Sequence, residues 1–358
     1  MNPLIPGIGL IFFSALCNAG VGVPLRIRRR YQWENMWVVG HLFAMILLPL
    51  LVGRYLVPNW PSAIAAVGTR TVAIVVAFGF MWGIGAVTFA IGIDTIGLSL
   101  GYAIIMGIIT AIGALIPMAR HWAGIPTDAS LVILLGVGMC VIGVAVCGKA
   151  GMIRERAVDQ GTSSPPSAEA RVGTGTSIIK KSAAGVFAMG LAWCVISGVF
   201  SAGNNLGFDF ADRVAEEAQK LGTSPLFASI ARFIAVYWGG YLAVLILCVS
   251  KMLKTGTWRN YAGVGSGRDA ALSILMGVFH FTSQVAYGMG AYYVGRLGTT
   301  VGFAVMISAS IMLANMFGFV TGEWKGAVRN STRILFLGLA SLIAAVLILA
   351  YGNSLVSM

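Results

Sequence analysis

Two short segments place carboxamide side chains inside long apolar runs. FSALCN ends at Asn18 and FSAGNN ends at Asn205, and both begin with the same three residues. In and just before the second segment, Ser197, Ser201, Asn204 and Asn205 follow i, i+4, i+7, i+8 spacing and share one face of a helix. Because a carboxamide both donates and accepts hydrogen bonds, these side chains suit a neutral, hydroxyl-rich solute such as a sugar. Hydrogen bonding between helices is the alternative interpretation.

A second set of polar side chains lies in the segment FHFTSQVAYGMG. His280, Gln284 and Tyr287 fall on one stripe of a helix, with His280 about halfway along the apolar run. A histidine at that depth either contacts a ligand, handles a proton or is a satisfied packing residue. Trp82 and Trp193 also lie within apolar runs, where they either stack on the apolar face of a sugar or only pack. The predicted substrate-binding residues are Asn18, Trp82, Ser201, Asn204, Asn205, His280, Gln284 and Tyr287.

Few ionisable groups lie where they could couple transport to protons. Such a group must change its proton affinity as its access changes from one side of the membrane to the other. Glu34 precedes an apolar run, Asp209 ends another, and His280 lies inside a third. We therefore predict Glu34, Asp209 and His280 as candidate proton carriers. Arg232 lies within an apolar run, where it either pairs with Asp209 or extends to the membrane surface.

These side chains belong to an exceptionally apolar chain. Of its 358 residues, 58% are hydrophobic and only 10% are charged, with a mean hydropathy of +0.87. A soluble domain has roughly 25% charged residues, so this composition predicts an all-α integral membrane protein with lipid as its surroundings. The net charge of +12 is concentrated between apolar runs, which argues against a nucleic-acid partner. The five cysteines lack metal-ligand spacing, so neither a metal nor another cofactor is expected.

A membrane-spanning helix needs about 20 apolar residues, and the sequence contains ten such runs. We place them at 3–25, 35–56, 71–93, 97–119, 130–148, 184–207, 226–250, 270–293, 298–320 and 334–352. No basic residue precedes the first run, so it is not expected to be a cleavable signal peptide. The polar segment 149–183, with GTSSPPSAEARVGTGTS at its centre, is typical of a flexible linker. It divides the chain into two five-helix units, 1–148 and 184–358.

Basic residues are unevenly distributed between the two sides of this arrangement. If both termini lie outside, seventeen of the 24 lysines and arginines fall on the inner side, as the positive-inside rule requires. These are Arg26, Arg28, Arg29, Arg30, Lys149, Arg154, Arg156, Arg171, Lys180, Lys181, Lys251, Lys254, Arg259, Arg268, Lys325, Arg329 and Arg333. We therefore predict a cytoplasmic linker and two periplasmic termini.

An odd number of helices in each half requires that the halves have opposite orientations in the membrane. Two matched pairs of segments support this: FSALCN in span 1 with FSAGNN in span 6, and GLSLGYAI in span 4 with GTTVGFAV in span 9. The pairs are separated by similar distances along the chain. The pattern predicts two inverted five-helix repeats, with a substrate site near the middle of the bilayer between them.

The sequence resembles the L-rhamnose–proton symporter family, within the drug/metabolite transporter superfamily. The resemblance rests on WENMWVVG (33–40), ILLPLLVGRYLVPNW (46–60), FGFMWGIG (78–85), GLSLGYAI (97–104), GVFSAG (198–203) and GEWKGA (322–327), which occur in order along nearly the whole chain. Trp33, Glu34 and Trp37 stand where the family has its Trp-Glu-x-x-Trp motif. The resemblance implies a drug/metabolite transporter-like fold of ten helices, a bacterial inner-membrane location and sugar uptake driven by protons.

The sequence thus predicts a secondary transporter that imports L-rhamnose or a related monosaccharide with a proton by alternating access. The expected partners are the sugar, the proton and membrane lipids; the oligomeric state is not indicated. A metabolite or drug exporter, or an uncoupled facilitator, of the same superfamily is the alternative. A membrane enzyme would need paired carboxylates or histidines, and His41, His121 and His280 are far apart in sequence. A channel would need a ring of charges or a carbonyl filter, which the sequence does not suggest.

Overall fold

The computed structural model describes residues 4–96, 98–123, 125–159, 183–320, 322 and 324–356. Within these ranges the chain forms helices and no strand. The helices are α1 Leu4–Gly20, α2 Gly22–Ile27, α3 Trp33–Leu42, α4 Leu48–Leu56, α5 Trp60–Ala66, α6 Gly68–Ile96, α7 Leu98–Arg120, α8 Thr127–Asp159, α9 Ala183–Ser201, α10 Gly203–Phe210, α11 Asp212–Lys220, α12 Pro225–Thr255, α13 Ser266–Val294, α14 Phe303–Val320 and α15 Arg329–Val356. Short π-helical turns occupy Phe43–Leu47 and Gly298–Gly302, and a 3-10 turn occupies Thr257–Tyr261.

Among the described residues, ten helical segments are long and apolar enough to cross a membrane, which confirms the predicted all-α, ten-span class. Spans 1 to 10 are Leu4–Leu25, Trp33–Leu56, Gly68–Ile93, Leu100–Arg120, Thr127–Arg154, Gly185–Lys220, Pro225–Thr255, Ser266–Val294, Gly298–Val320 and Arg329–Val356. The predicted start of the flexible linker is wrong, because α8 continues as a helix to Asp159. The sequence there, KAGMIRERAVD, is polar but rich in good helix formers. The rest of the predicted linker, 160–182, lies outside the described residues.

Contacts between loops define the two faces of the bundle. On one face, residues 28–32 contact the start of α13, and Asn35 donates to the backbone carbonyl of Thr257 at 3.0 Å. We call this the basic face. On the opposite face, Asn59 donates to the carbonyl of Leu221 at 2.9 Å, joining the loop after span 2 to the loop before span 7.

The helix packing is the same when spans 1–5 are exchanged for spans 6–10. Span 3 packs against spans 6 and 7, while span 8 packs against spans 1 and 2. Span 4 packs against span 6, and span 9 against span 1; spans 5 and 10 pack on each other. This pattern is what an inverted repeat would produce.

Glycines let the central helices approach until their backbones touch. A Cβ atom added to Gly83 on α6 would lie 2.5 Å from the carbonyl oxygen of Gly240 on α12. The matching crossing of spans 8 and 2 brings Gly277 against the carbonyl of Gly40, where a Cβ atom would also clash. A larger residue at Gly83 or Gly277 would therefore separate helices that hold the middle of the bundle together.

Asp269 fixes the basic-face loop between spans 1 and 2. Its fully buried carboxylate accepts backbone N–H groups from Arg29 at 3.1 Å, Arg30 at 2.6 Å and Tyr31 at 2.8 Å. Three convergent donors compensate the carboxylate for lost hydration. The loop is thus fastened to the first turn of α13.

We expect Asp269→Asn to destabilise the protein, because the amide removes the negative charge and its NH2 group becomes a buried donor that faces other donors. A buried donor without an acceptor costs about 1–3 kcal/mol. Thermal unfolding of the purified protein in detergent measures the effect. Asp128→Asn is the matched control, since Asp128 is exposed in the first turn of α8 and contributes about 0.3–1 kcal/mol at most. Equal melting temperatures for the two variants would contradict the assignment.

Candidate functional site

Five aromatic rings meet in the middle of the bundle. Trp82 stacks on His280 with ring centroids 5.6 Å apart and planes 20° apart. His41 lies 5.7 Å from His280 and 5.9 Å from Trp82, and Trp37 lies 5.2 Å from His41. Tyr237 completes the group at 6.1 Å from His280. We call these five residues the central aromatic cluster.

Four different spans build the cluster. Trp37 and His41 are one turn apart on α3, directly before the π-helical turn that begins at Phe43. Trp82 comes from the middle of α6, Tyr237 from α12 and His280 from α13. The backbone contact between Gly83 and Gly240 places α6 and α12 close enough for this convergence. Sequence analysis predicted two of the five; the i, i+4 spacing of Trp37 and His41 was the available signal for two more.

Three residues of the cluster, and Asn204, have unpaired polar atoms. Among the described residues, Trp37 Nε1, Tyr237 Oη, His280 Nε2 and Asn204 Oδ1 are buried and have no hydrogen-bond partner. Native proteins rarely leave such groups unpaired, and each one needs an explanation. No ion pair of the described chain involves any of these side chains. The arrangement offers apolar ring faces, donors and acceptors to a neutral ligand.

The two adjacent asparagines have different surroundings. Asn204 makes a single long contact, donating to Oε1 of Gln284 at 3.4 Å, one turn from His280. Asn205 donates to the carbonyls of Gly113 at 2.6 Å and Thr299 at 2.8 Å, and its Oδ1 accepts the Tyr287 hydroxyl at 2.5 Å. The hydrogen bonds of Asn205 and Tyr287 therefore go to the protein itself, joining spans 4, 6, 8 and 9.

Two other predicted site residues lie apart from the cluster. Ser201 is buried against Gly85 of α6. Asn18 donates to Ser310 Oγ at 3.2 Å and lines a cavity of about 430 Å³. This cavity lies between spans 1, 4, 5 and 9 and extends toward the basic face, where the Arg154 guanidinium lies over the Trp324 ring. Trp37 also lines this cavity, so the cavity borders the central aromatic cluster.

A cluster of ion pairs lies at the opposite face. Asp209 is fully buried, forms an ion pair with Arg120, accepts the Thr299 hydroxyl at 2.6 Å and lies 3.1 Å from His121 Nε2. We call Arg120, His121, Asp209 and Thr299 the outer ionic cluster. It joins span 6 to spans 4 and 9.

Asp212 and Arg232 form a neighbouring ion pair. Arg232 pairs with Asp212 at 2.5 Å, rather than with Asp209 or the membrane surface. A second cavity, of about 350 Å³, lies against Asp209, Asp212 and Arg232. His121, Asp209 and Asp212 are as close to one another as the ligands of a metal ion would be, but the arginines already neutralise both carboxylates. Ion pairing accounts for the arrangement without a metal.

Glu34 lies at the basic face, outside the aromatic cluster. Its buried carboxylate accepts the Thr257 hydroxyl at 2.9 Å and lies 3.5 Å from Lys251 Nζ. The same lysine lies over the Trp33 ring at 4.2 Å. The Trp-Glu-x-x-Trp segment thus joins span 2 to the end of span 7.

Comparison with known proteins identifies the family. The model of the L-rhamnose-proton symport protein family (RhaT) matches residues 1–355. The chain belongs to this family. Proteins named L-rhamnose-proton symporter from Mannheimia succiniciproducens and Pectobacterium atrosepticum are 25% and 26% identical to it, and each match covers 98% of both chains. A protein of the same name from Cronobacter sakazakii is 26% identical over the same share.

Membership in this family confirms the resemblance that the sequence segments indicate. It also decides between a transporter and an enzyme. The family consists of transporters rather than enzymes. The ten apolar spans agree with a multi-pass membrane protein. His41 and His280 are far apart in sequence, but the fold brings their rings together.

Proposed function

We propose that this protein imports L-rhamnose, or a closely related monosaccharide, with a proton across a bacterial inner membrane. Similarity to proteins named L-rhamnose-proton symporter over nearly their full length supports the substrate and the coupling ion. The basic face is then cytoplasmic, and both ends of the chain are periplasmic. The predicted bias of lysine and arginine toward this face supports the orientation.

The central aromatic cluster is the observation that carries the proposal. A 6-deoxy sugar has hydroxyl groups that donate and accept hydrogen bonds, and C–H faces with a methyl group that stack on aromatic rings. The Trp82 and His280 rings supply the apolar contact, while Asn204 Oδ1, Tyr237 Oη and Trp37 Nε1 supply unpaired hydrogen-bonding atoms. Gln284 adds a carboxamide one turn from His280. A neutral ligand also agrees with the lack of ion pairs among these described residues.

The two unequal sides of this site support alternating access. The larger cavity extends from the basic face to Trp37, while the outer ionic cluster joins spans 4, 6 and 9 at the periplasmic face. This arrangement corresponds to a state that is open to the cytoplasm. The equivalent packing of the two halves supports inverted repeats, in which Asn18 and Asn205 would exchange roles when the protein opens to the periplasm.

Transport by the purified protein in proteoliposomes tests this function. Unlabelled L-rhamnose inside should drive counterflow of labelled L-rhamnose without a pH gradient, and an inward proton gradient should drive uphill uptake. The same two assays with L-fucose and D-glucose show which sugar is transported. Counterflow without any response to the gradient would identify an uncoupled facilitator. Failure of all three sugars in both assays would leave the exporter alternative and reject sugar import.

Neutral variants distinguish the candidate proton carriers Glu34, Asp209 and His280. Loss of uphill uptake with retained counterflow identifies the group that carries the proton. Glu34→Gln is informative because the carboxylate touches Lys251 and Thr257 at the cytoplasmic end.

The orientation gives a prediction for cysteine labelling. All five native cysteines are buried, so the background should be low. Ala262→Cys, exposed in the basic-face loop, should react with an impermeant maleimide only after the cells are opened. Ser62→Cys, exposed on the opposite face, should react in intact cells and serves as the matched control. The reverse labelling pattern would overturn the orientation.

A further inference from the structure

The His41 and His280 imidazoles form a buried pair at the centre of the bundle. Their ring centroids are 5.7 Å apart, and they come from α3 and α13. The Nδ1 atom of His41 lies 2.8 Å from the carbonyl oxygen of Trp37. Because a carbonyl only accepts hydrogen bonds, neutral His41 must carry its proton on Nδ1. Its Nε2 atom is therefore a base with a free lone pair, and Nε2 of His280 is buried without a partner among the described residues.

The groups that face the pair are aromatic or neutral. Trp37 packs on His41 from the same helix, Trp82 from α6 contacts both histidines, and Tyr237 from α12 contacts His280. In the described ranges, no lysine, arginine, aspartate or glutamate forms an ion pair with either imidazole. One bound proton would lie against the ring faces of Trp37 and Trp82, which attract cations. A second would repel the first at this distance, so the pair holds one proton.

We propose that His41 and His280 together form the binding site of the transported proton, in direct contact with the sugar. This inference rests on the proposed function and names its coupling residues. The proton binds to an Nε2 lone pair, and the resulting N–H donates a hydrogen bond to a sugar oxygen. The same N–H bond breaks when the proton leaves through the cavity that reaches Trp37. His41 thereby becomes a functional residue, and the pair replaces Asp209 and Glu34 as carrier.

The surroundings of those two carboxylates support this choice. Asp209 is held by Arg120 and hydrogen-bonded by Thr299, so it joins helices at the periplasmic face. Glu34 lies beside Lys251 at the cytoplasmic end of the protein. The histidine pair lies between these positions. Tyr237 packs on His280, and Asn204 contacts Gln284, which is one turn from His280. There the proton and the sugar occupy one site, which is what obligatory coupling requires.

Isosteric variants test the proposal with the full-length protein in proteoliposomes. His41→Asn retains a donor for the Trp37 carbonyl, and His280→Gln places an amide near the position of Nε2; neither side chain titrates. The wild type should accumulate L-rhamnose up to about 10-fold for each unit of inward proton gradient. Both variants should accumulate none above equilibrium while counterflow continues. Glu217→Gln, on the exposed face of α11, is the control and should accumulate like the wild type.

Binding at several pH values gives a second, independent readout. Because the bound proton and the bound sugar stabilise each other, L-rhamnose affinity should rise as the pH falls. Linkage then requires that bound L-rhamnose raise the proton affinity of the pair by the same factor. The pH dependence should flatten in both variants. Retained uphill accumulation in the doubly substituted protein, or an unchanged pH dependence of binding, would reject the pair. If the wild type neither binds nor exchanges L-rhamnose, the proposed function itself has failed, which is a distinct result.

Discussion

Asp209→Asn is expected to slow both uphill uptake and counterflow of L-rhamnose by at least about 10-fold. The change leaves Arg120 without its buried partner and weakens the contacts of span 6 with spans 4 and 9. Breaking a fully buried ion pair costs about 3–5 kcal/mol, and the cost here is smaller because the Arg120 side chain is 32% exposed. In the proposed transport cycle these helices separate when the periplasmic side opens, so this cost falls on the inward-open state. The protein should therefore accumulate in the outward-open state and alternate slowly.

Labelling of a cysteine in the cavity beside Asp209 measures that shift. Ser229 lines this cavity and is buried in the structure, so Ser229→Cys is the variant to label. Maleimide should modify it faster when Asp209→Asn is also present. Glu217→Gln is the control, because the Glu217–Lys220 pair is exposed and contributes at most about 1 kcal/mol. Counterflow at the wild-type rate with uphill uptake abolished would instead make Asp209 the proton carrier and contradict a closing role.

Asn205→Ala is expected to lower the stability of the protein, whereas Asn204→Ala is expected to weaken sugar binding, although the two residues are adjacent. Removing the Asn205 amide deletes three buried hydrogen bonds, with the Tyr287 hydroxyl and with the carbonyls of Gly113 and Thr299. At about 1–3 kcal/mol for each buried group, the loss should exceed about 3 kcal/mol and lower the melting temperature markedly. The Asn204 side chain makes one long hydrogen bond, to Gln284. Its Oδ1 atom has no partner and can accept a hydrogen bond from a ligand.

Asn204→Ala should therefore weaken L-rhamnose binding about 10-fold, with little change in melting temperature. Ligand affinity and thermal unfolding, measured on the same preparation of each variant, test the contrast. Asn18→Ala extends the comparison, since Asn18 lines the larger cavity and its side chain donates a hydrogen bond to Ser310. Loss of stability in Asn204→Ala with normal affinity would reject its place in the sugar site.

Hydropathy and family-like segments were enough to predict the ten spans, because a span is a local property of about 20 residues. The contacts between polar residues of different helices are not a local property of the sequence. His41 and His280 are hundreds of residues apart in sequence, and only the packing of span 8 on span 2 brings them together. Asn204 and Asn205 are chemically identical neighbours, so their roles depend on which helices their side chains face.

Charged residues near helix ends were similarly ambiguous. Arg232 pairs with Asp212, because the short helix α11 turns that carboxylate back toward α12. Asp209 instead meets Arg120, which ends span 4. A sequence shows the charges and their approximate depth, but the direction of a short connecting helix decides which of them meet.

The two cavities bear on how the membrane potential acts on this protein. They lie toward opposite faces of the bundle, and the described lining of neither cavity includes His280, Asn204 or Asn205. Where solvent penetrates, little voltage is lost, so most of the electric field falls across the protein that separates the two cavities. A unit charge crossing it gains about 2.3 kcal/mol for each 100 mV. Inward movement of a proton with a neutral sugar is thus electrogenic, and a negative cell interior would drive uptake even where the pH on the two sides is equal.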